Sequence, residues 1–415
     1  MVGPATYFDS GRADGLDPVA RDLVERRDRA LGGAYRLFYE EPVRFVRGLG
    51  TRLWDADGVE YLDAYNNVPS VGHAHPRVVA AITAQASQLN THTRYLQPGI
   101  VEYAETVLAT LPAGLQMMFT CTGSEANDLA LRIAKHATGG QGVVVTTNAY
   151  HGVTTEIAAI SPSLGGLPSL APWVRVVDPL DLASGVVAAF AELAAAGFTP
   201  AAFIVDTILA SDGVLPEADL AGAVAAARSA GALFIADEVQ PGFGRLGHGL
   251  WGFERHGLSP DIVTVGKPMG NGHPVAAMMA RAELVSAFGE DVRYFNTFSG
   301  NTVSIAAAQA TWDVLHEEGL VANARETGAY LLAGLRGLGL DARGAGLFIG
   351  APIEGGSERA VALVNELRRR RVLLSTAGVG NDVLKIRPPL PFDRADADRL
   401  LAELEGALAS VPIAG

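Results

Sequence analysis

The sequence is poor in the residues and segments that cross-link chains, bind nucleic acids or cross membranes. Its one cysteine, Cys121, cannot form an internal disulfide, which is typical of a reducing compartment. A net charge of −13 argues against a nucleic-acid or anionic-membrane partner. The longest apolar runs contain charges, and the first residues have no apolar core of a secretory signal. We therefore expect a cytoplasmic protein without a nucleic-acid or membrane partner.

Lysine is also scarce, because only three of the 32 basic residues are lysines. One of them, Lys267, stands between the apolar run 261–266 and a turn rich in proline and glycine. Arginine stays charged and is a poor nucleophile, whereas a desolvated lysine can lose its proton and form an imine. Lys267 is therefore either a reactive amine or a chance surface lysine, and this segment alone leaves both interpretations open.

What is abundant is apolar sequence, at 49% of 415 residues, which is enough for a large globular core. Short β-branched runs alternate with helical segments such as 125–137, and their continuous apolar character is typical of a parallel sheet covered on both faces. The predicted strands are 116–122, 142–147, 201–208, 232–239 and 261–266.

This alternation predicts the α/β class, with a large doubly wound domain over residues 60–314. Residues 1–59 and 315–415 are predicted to form a smaller α+β domain that is built from both chain ends.

Three chemical features follow predicted strands, at the ends where ligands collect in open α/β sheets. Gly123 and Ser124 lie between a strand and a helix start, which suits a phosphate, although Ser124 could simply cap the helix. Asp237 and Glu238 end a second strand, where an acid could also be a structural cap, and Lys267 ends a third. Together they match the needs of pyridoxal phosphate: an anchored phosphate, an acid for the ring nitrogen and an amine for the aldehyde.

Longer motifs in the same order resemble those of the class-III (ω-type) aminotransferases, which are fold-type-I pyridoxal-phosphate enzymes. The resemblance covers nearly the whole chain and implies a homodimer with shared active sites and small-molecule amine and keto-acid substrates. The motifs are WDADGVEYLDAYNNVPSVGHAHP (54–76), GSEANDLALRIA (123–134), AYHG (149–152), ADEVQPGFGR (236–245), YFNTFSGN (294–301) and LKIRPPL (384–390).

The resemblance implies catalytic roles for two residues and packing roles for two more. Lys267 would bind the cofactor's aldehyde and then move a proton, and Asp237 would keep the pyridine nitrogen protonated. Val239 and Tyr150 would pack on opposite faces of the ring.

The other implied cofactor residues lie around the phosphate and the ring oxygen. Gly123 and Ser124 would bind the phosphate, and Gln240 would lie near the ring's 3′-oxygen. Thr297 would reach the cofactor phosphate of the neighbouring subunit. No metal site is implied.

The main departure from the family pattern is LKIRPPL. Most members carry an arginine three positions before the Pro-Pro pair, where it binds the substrate carboxylate with two hydrogen bonds, but here Lys385 stands there and Arg387 directly precedes the prolines. Lysine lacks that planar fork. The pattern looks most like a subgroup that contains ammonia-phospho-lyases, which act on O-phosphorylated amines such as phosphoethanolamine.

Lys385 and Arg387 are therefore the predicted substrate-binding residues, although Arg387 could replace the usual clamp or Lys385 could point to solvent. We expect an aminotransferase that moves an amino group between an amine or amino acid and a keto acid or aldehyde, because that activity dominates the family. The alternative is a phospho-lyase. A non-catalytic, cofactor-binding regulator is less favoured, because the chain has no spare basic domain.

Overall fold

The computed structural model describes residues 7–8, 14–165 and 169–413. Among the helices of these ranges, none is long and apolar enough to cross a membrane. The helices are α1 (Pro18–Leu31), α2 (Pro76–Ala86), α3 (Pro98–Leu108), α4 (Gly123–Thr138), α5 (Thr155–Ala158), α6 (Leu182–Ala195), α7 (Leu220–Ser229), α8 (Ala282–Asp291), α9 (Thr302–Glu317), α10 (Leu320–Gly337), α11 (Gly356–Arg369) and α12 (Arg394–Ser410).

The strands belong to one large and two small sheets. They are β1 (Phe45–Leu49), β2 (Arg52–Asp55), β3 (Glu60–Asp63), β4 (Leu115–Thr120), β5 (Gly142–Thr146), β6 (Val174–Val177), β7 (Pro200–Asp206), β8 (Leu233–Asp237), β9 (Ile262–Val265), β10 (Ala276–Arg281), β11 (Arg343–Ala345), β12 (Phe348–Pro352), β13 (Val372–Leu373), β14 (Ser375–Ala377) and β15 (Val383–Ile386).

The large sheet has seven strands in the order β4-β10-β9-β8-β7-β5-β6. The strands from β9 to β6 run parallel, and β10 is antiparallel to both of its neighbours. All five predicted strands and the predicted helix 125–137 are present, as β4, β5, β7, β8, β9 and α4. The mostly parallel sheet and the fold-type-I class are confirmed.

Helices cover the large sheet on both faces, and the residues of β5 alternate between two cores. Val143 and Val145 pack in the core that contains Leu129 of α4. Val144 packs in the core that contains Phe190 of α6. Because successive side chains of a strand point to opposite faces, a strand buried on both sides reads as one continuous apolar run.

The two small sheets combine distant parts of the chain. The sheet β1-β2-β3-β13 joins N-terminal strands to β13, which pairs in parallel with β3 through Val372 and Leu62. The other small sheet has the order β11-β12-β15-β14. Strand β3 pairs with β2 across the predicted domain boundary at residue 59, and the domain boundaries stay a prediction.

Candidate active site

The carboxyl ends of β7, β8 and β9 lie at one edge of the large sheet, because these strands are parallel neighbours. A cavity of about 200 Å³ opens there, next to the start of α4. Seven of the eight predicted cofactor residues line it; they are Gly123, Ser124, Tyr150, Asp237, Val239, Gln240 and Lys267. The structure therefore brings together residues that are up to 144 positions apart in the sequence, and Thr297 is the exception.

The start of α4 forms a cradle in which small residues are required. The helix cap is Thr122, whose hydroxyl accepts from the Glu125 amide at 3.2 Å, so the expectation that Ser124 merely caps the helix is wrong. A Cβ on Gly123 would lie 2.9 Å from a methyl of Val239, and one on Gly152 would lie 2.5 Å from the Ser124 hydroxyl. The helix N-terminus is thus left open to an anion.

Asp237 is buried and held by three donors. Its Oδ2 accepts from Asn127 Nδ2 at 2.9 Å and lies 2.8 Å from His151 Nδ1, and its Oδ1 accepts from the Val239 amide at 3.1 Å. Asn127 is itself fixed, because it donates to the His151 carbonyl and accepts from the Thr264 hydroxyl. The carboxylate is therefore held at one orientation at the cavity wall.

Asn127 and His151 are functional candidates that the sequence analysis did not identify. Both line the cavity, and His151 Nε2 is buried without a hydrogen-bond partner among the described residues. Both also stand inside recognised motifs, GSEAN and AYHG, so a search of those motifs for polar residues would have found them.

Lys267 lies two residues beyond β9 and its side chain is mostly buried. Burial, and then the positive charge of Arg387, lower the pKa of Lys267 to about 8, although Asp237 and Asp206 oppose this shift. Its Nζ lies 6.0 Å from the centre of the Tyr150 ring. An amine with such a pKa is partly unprotonated near neutral pH, so it can act as a nucleophile and a base.

Two further acids beside the cavity have different surroundings. Asp206 ends β7 and lines the cavity, and burial raises its pKa to about 6. Glu238 points the other way, where it accepts from the Thr207 hydroxyl at 2.9 Å and from the Gly252 and Phe253 amides. Of the adjacent pair Asp237 and Glu238, only Asp237 faces the cavity, because neighbouring residues at a strand end point in opposite directions.

Lys385 lies on β15 and is only 7% exposed, which excludes the expectation that it points to solvent. Its Nζ lies 5.8 Å from the centre of the Phe348 ring, and no residue in the described ranges forms an ion pair or hydrogen bond with it. Burial, and then the charge of Arg387, hold its pKa well below the usual value. Lys385 is thus a buried amine without an acidic partner.

Arg387 is 8% exposed and adjoins the cavity through Gln240. Its Nη1 donates to Asn67 Oδ1 at 2.9 Å and to Gln240 Oε1, and its guanidinium carbon lies 4.5 Å from the centre of the Tyr65 ring. Its Nε is buried without a partner among the residues that the structure describes. Because Lys385 and Arg387 are two positions apart at the end of an extended strand, their side chains project from the same face.

Thr297 does not line the cavity that contains Lys267 in its own chain. It is exposed and lines a separate cavity of about 470 Å³ against the outer face of α4, beside Arg132 and Tyr294. Phe298, next to it, is 72% exposed. Its role at the cofactor phosphate of a neighbouring subunit stays a prediction.

Comparison with known proteins gives consistent matches along the chain. Residues 39–408 match the family model described as Aminotransferase class-III. "Alanine--glyoxylate aminotransferase 2-like" from Drosophila melanogaster is 38% identical, over 94% of this chain and 87% of that protein. "Ethanolamine-phosphate phospho-lyase homolog 1" from Caenorhabditis elegans is 34% identical, over 93% of each chain. A phospholyase from Arthrobacter, solved in complex with phosphoethanolamine, is 42% identical with a TM-score of 0.90, over 94% of this chain and 100% of that chain.

Proposed function

The chain belongs to the class-III aminotransferases, which depend on pyridoxal phosphate, and from that premise we propose that it is an ammonia-phospho-lyase acting on an O-phosphorylated amine such as phosphoethanolamine. The observation that carries the proposal is the pair of buried cations, Lys385 and Arg387, for which the described residues provide no acidic partner. Uncompensated buried charge is costly. A phosphate ester, with a charge of about −1.5 to −2, would compensate both cations.

The cavity fits the family's cofactor. Gly123 and Ser124 would hold its phosphate, Asp237 its ring nitrogen and Lys267 its aldehyde. The support for this fit is the small-residue cradle, which side chains would fill, and the carboxylate held by Asn127 and His151. When bound, pyridoxal phosphate supplies an electron sink that stabilises negative charge at the carbon carrying the substrate's amino group.

The residues of the chain then have separate tasks in the proposed reaction. Lys267 Nζ, with a pKa of about 8, takes the proton from the carbon that carries the amino group. Lys385 and Arg387 bind the substrate phosphate and stabilise the charge on its oxygen as the carbon–oxygen bond breaks and the electron pair leaves with phosphate. With the addition of one water, phosphoethanolamine would yield phosphate, ammonia and acetaldehyde.

The second candidate is an aminotransferase, the activity that the sequence analysis favours. The observation in its favour is the free Nε edge of Arg387, which suits the carboxylate of an amino acid. We prefer the lyase because a monovalent carboxylate on Arg387 would leave Lys385 buried without a counter-charge.

Incubation with phosphoethanolamine in the absence of any keto acid tests the proposal. The lyase predicts release of phosphate and ammonia in equal amounts over many turnovers. A parallel reaction with an amine and pyruvate, followed by pyridoxamine formation, measures the aminotransferase. If phosphoethanolamine is inert while amine and pyruvate exchange nitrogen, the lyase proposal fails and the aminotransferase stands.

We also propose that the enzyme is a homodimer with shared active sites. The support is the position of Thr297, exposed beside the exposed Phe298 and outside its own chain's cofactor cavity. A second chain that covered this surface would bury the apolar ring and bring Thr297 to a neighbouring cofactor site.

A further inference from the structure

Arg387 is surrounded in a way that keeps its positive charge available for a ligand. Its two Nη1 hydrogens are taken by the neutral amide oxygens of Asn67 and Gln240. The hydrogens of Nε and Nη2 remain, and Nε is buried without a partner within the described ranges. That edge is the one through which arginine binds carboxylates and phosphates with two parallel hydrogen bonds.

The carboxylate nearest in the sequence segment, Asp63, is engaged elsewhere. It is fully buried, and its Oδ1 accepts from the amides of Tyr65 at 3.0 Å and Asn66 at 2.9 Å. Its Oδ2 lies 2.7 Å from His73 Nε2. Because its oxygens are occupied by these donors, Asp63 organises the chain around Arg387 without pairing with it.

The segment that starts at Asp63 also fixes where Asn67 lies. The Ala64 carbonyl accepts from the Arg387 amide at 3.0 Å, so this segment runs beside the end of β15. Ser70 donates to the Pro268 carbonyl at 2.8 Å, which ties the far side of the segment to the loop that carries Lys267. Asn67 is 2% exposed between these two anchors, so its amide has little freedom to turn away from Arg387.

We propose that Asn67 is a specificity-determining positioning residue for anionic substrates. Its amide oxygen orients Arg387 so that the Nε–Nη2 edge faces the substrate anion, and its neutrality leaves the guanidinium charge uncompensated. An aspartate has nearly the same shape but would neutralise Arg387 from behind. The inference rests on the proposed function for the identity of the anion, a substrate phosphate, while the orientation and charge of Arg387 do not depend on turnover.

Calorimetric titration of the holoenzyme with inorganic phosphate measures this charge without catalysis. The bound cofactor fills the cradle at α4, so added phosphate reports on the cation site. We expect Asn67→Asp to weaken phosphate binding at least about tenfold, and Asn67→Ala only about two- to threefold, because alanine removes one hydrogen bond and adds no charge. Asn90→Asp is the matched control, since it makes the same charge change at an exposed position and should leave binding unchanged.

A purely structural role would predict a different pattern. In that case Asn67→Ala and Asn67→Asp would weaken binding equally and would disturb the cofactor's absorbance, whereas we expect both spectra to match wild type. With phosphoethanolamine, Asn67→Asp should raise KM by the same factor as the phosphate Kd and leave kcat within about twofold. Should Asn67→Asp not fold, Gln240→Glu places a carboxylate at the other Nη1 partner and should weaken phosphate binding similarly.

Tight phosphate binding by Asn67→Asp, equal losses in the two Asn67 variants, or no phosphate binding by wild type would each overturn the inference. Failure of the proposed function looks different. There, wild-type holoenzyme would bind phosphate and Asn67→Asp would bind it weakly, but no phosphate would be released from phosphoethanolamine.

Discussion

The two polar regions of the site are organised in opposite ways. At the end of β8, the acid Asp237 has three partners within the chain, and its neighbour Asn127 is bonded on both sides. At the end of β15, the cations Lys385 and Arg387 are just as buried, but no acid in the described residues pairs with them. The first region is complete without a ligand, whereas the second has excess positive charge that only a ligand can balance.

This difference indicates a division of labour between cofactor and substrate. A site for a resident cofactor benefits from rigid, satisfied groups, because its geometry must persist between turnovers. A site for a substrate anion benefits from charges left unpaired, because the free energy of compensating them is then available for binding.

The largest expected effect comes from Lys267→Ala, which should abolish turnover and remove the visible absorbance that depends on the lysine–cofactor bond. Borohydride reduction of wild-type holoenzyme followed by peptide mapping locates that bond, and we expect Lys267. Labelling at Lys385 or Lys135 would reverse the comparison, because the reactive amine would then lie outside the cofactor region.

Asp237→Asn should retain cofactor but lose roughly a hundredfold or more in rate, because an amide cannot keep the ring nitrogen protonated. The rate per bound cofactor, with cofactor content measured by absorbance, tests this. Glu238→Gln is the contrasting variant: its carboxyl accepts from the Gly252 and Phe253 amides away from the cavity, so stability should fall while the rate per folded holoenzyme stays within about threefold. A rate for Asp237→Asn within about tenfold of wild type would contradict the role of the acid.

Lys385→Met should change activity and stability in opposite directions. Phosphate release from phosphoethanolamine should fall about tenfold or more, because one cation of the anion site is lost. The free energy of unfolding without phosphate should rise by about 1–3 kcal/mol, because an unpaired buried charge is removed. Urea denaturation measures it.

Lys135→Met is the matched control for that stability gain. Lys135 Nζ already lies 2.7 Å from Glu156 Oε2, so its removal should give no stabilisation. If Lys385→Met destabilises the protein as an ordinary core substitution would, Lys385 has a partner and the contrast between the two regions is lost.

The smallest effect is expected from mixing Lys267→Ala with Thr297→Ala subunits. If Thr297 serves the neighbouring cofactor, each mixed dimer contains one intact site and one site with both lesions, and activity should recover to about a quarter of wild type. The mixture is assayed after dissociation and reassociation, against each variant alone. Thr297→Ala dimers that bind cofactor as tightly as wild type would remove the basis for a shared site.

Two strands of the large sheet were absent from the sequence prediction for physical reasons. β10 has the sequence AAMMAR, and alanine and methionine favour helices by intrinsic propensity. Its placement between β4 and β9, with hydrogen-bonded partners on both sides, outweighs that preference. β6 is four residues long and contains an arginine, so it lacks the continuous apolar run by which the other parallel strands were recognised.

Among the site residues, local sequence was informative where a residue's role depends on its own type and strand position. Lys267, Asp237 and the Gly123–Ser124 pair were predicted in this way and line one cavity. Asn127 and His151 stand in the same motifs, but an amide and an imidazole are common in unrelated settings, and only their contact with Asp237 distinguishes them.

The sequence by itself determined the α/β class, the continuous apolar strands and the edge at which the chemistry collects, because burial pattern and strand order are written in local residue types. Only the tertiary structure decided that Lys385 is buried without a partner, that Glu238 faces away from the cavity, and that Asn67 supports Arg387 from 320 positions away. Charge compensation depends on which side chains meet in space, and neither residue type nor spacing along the chain encodes that.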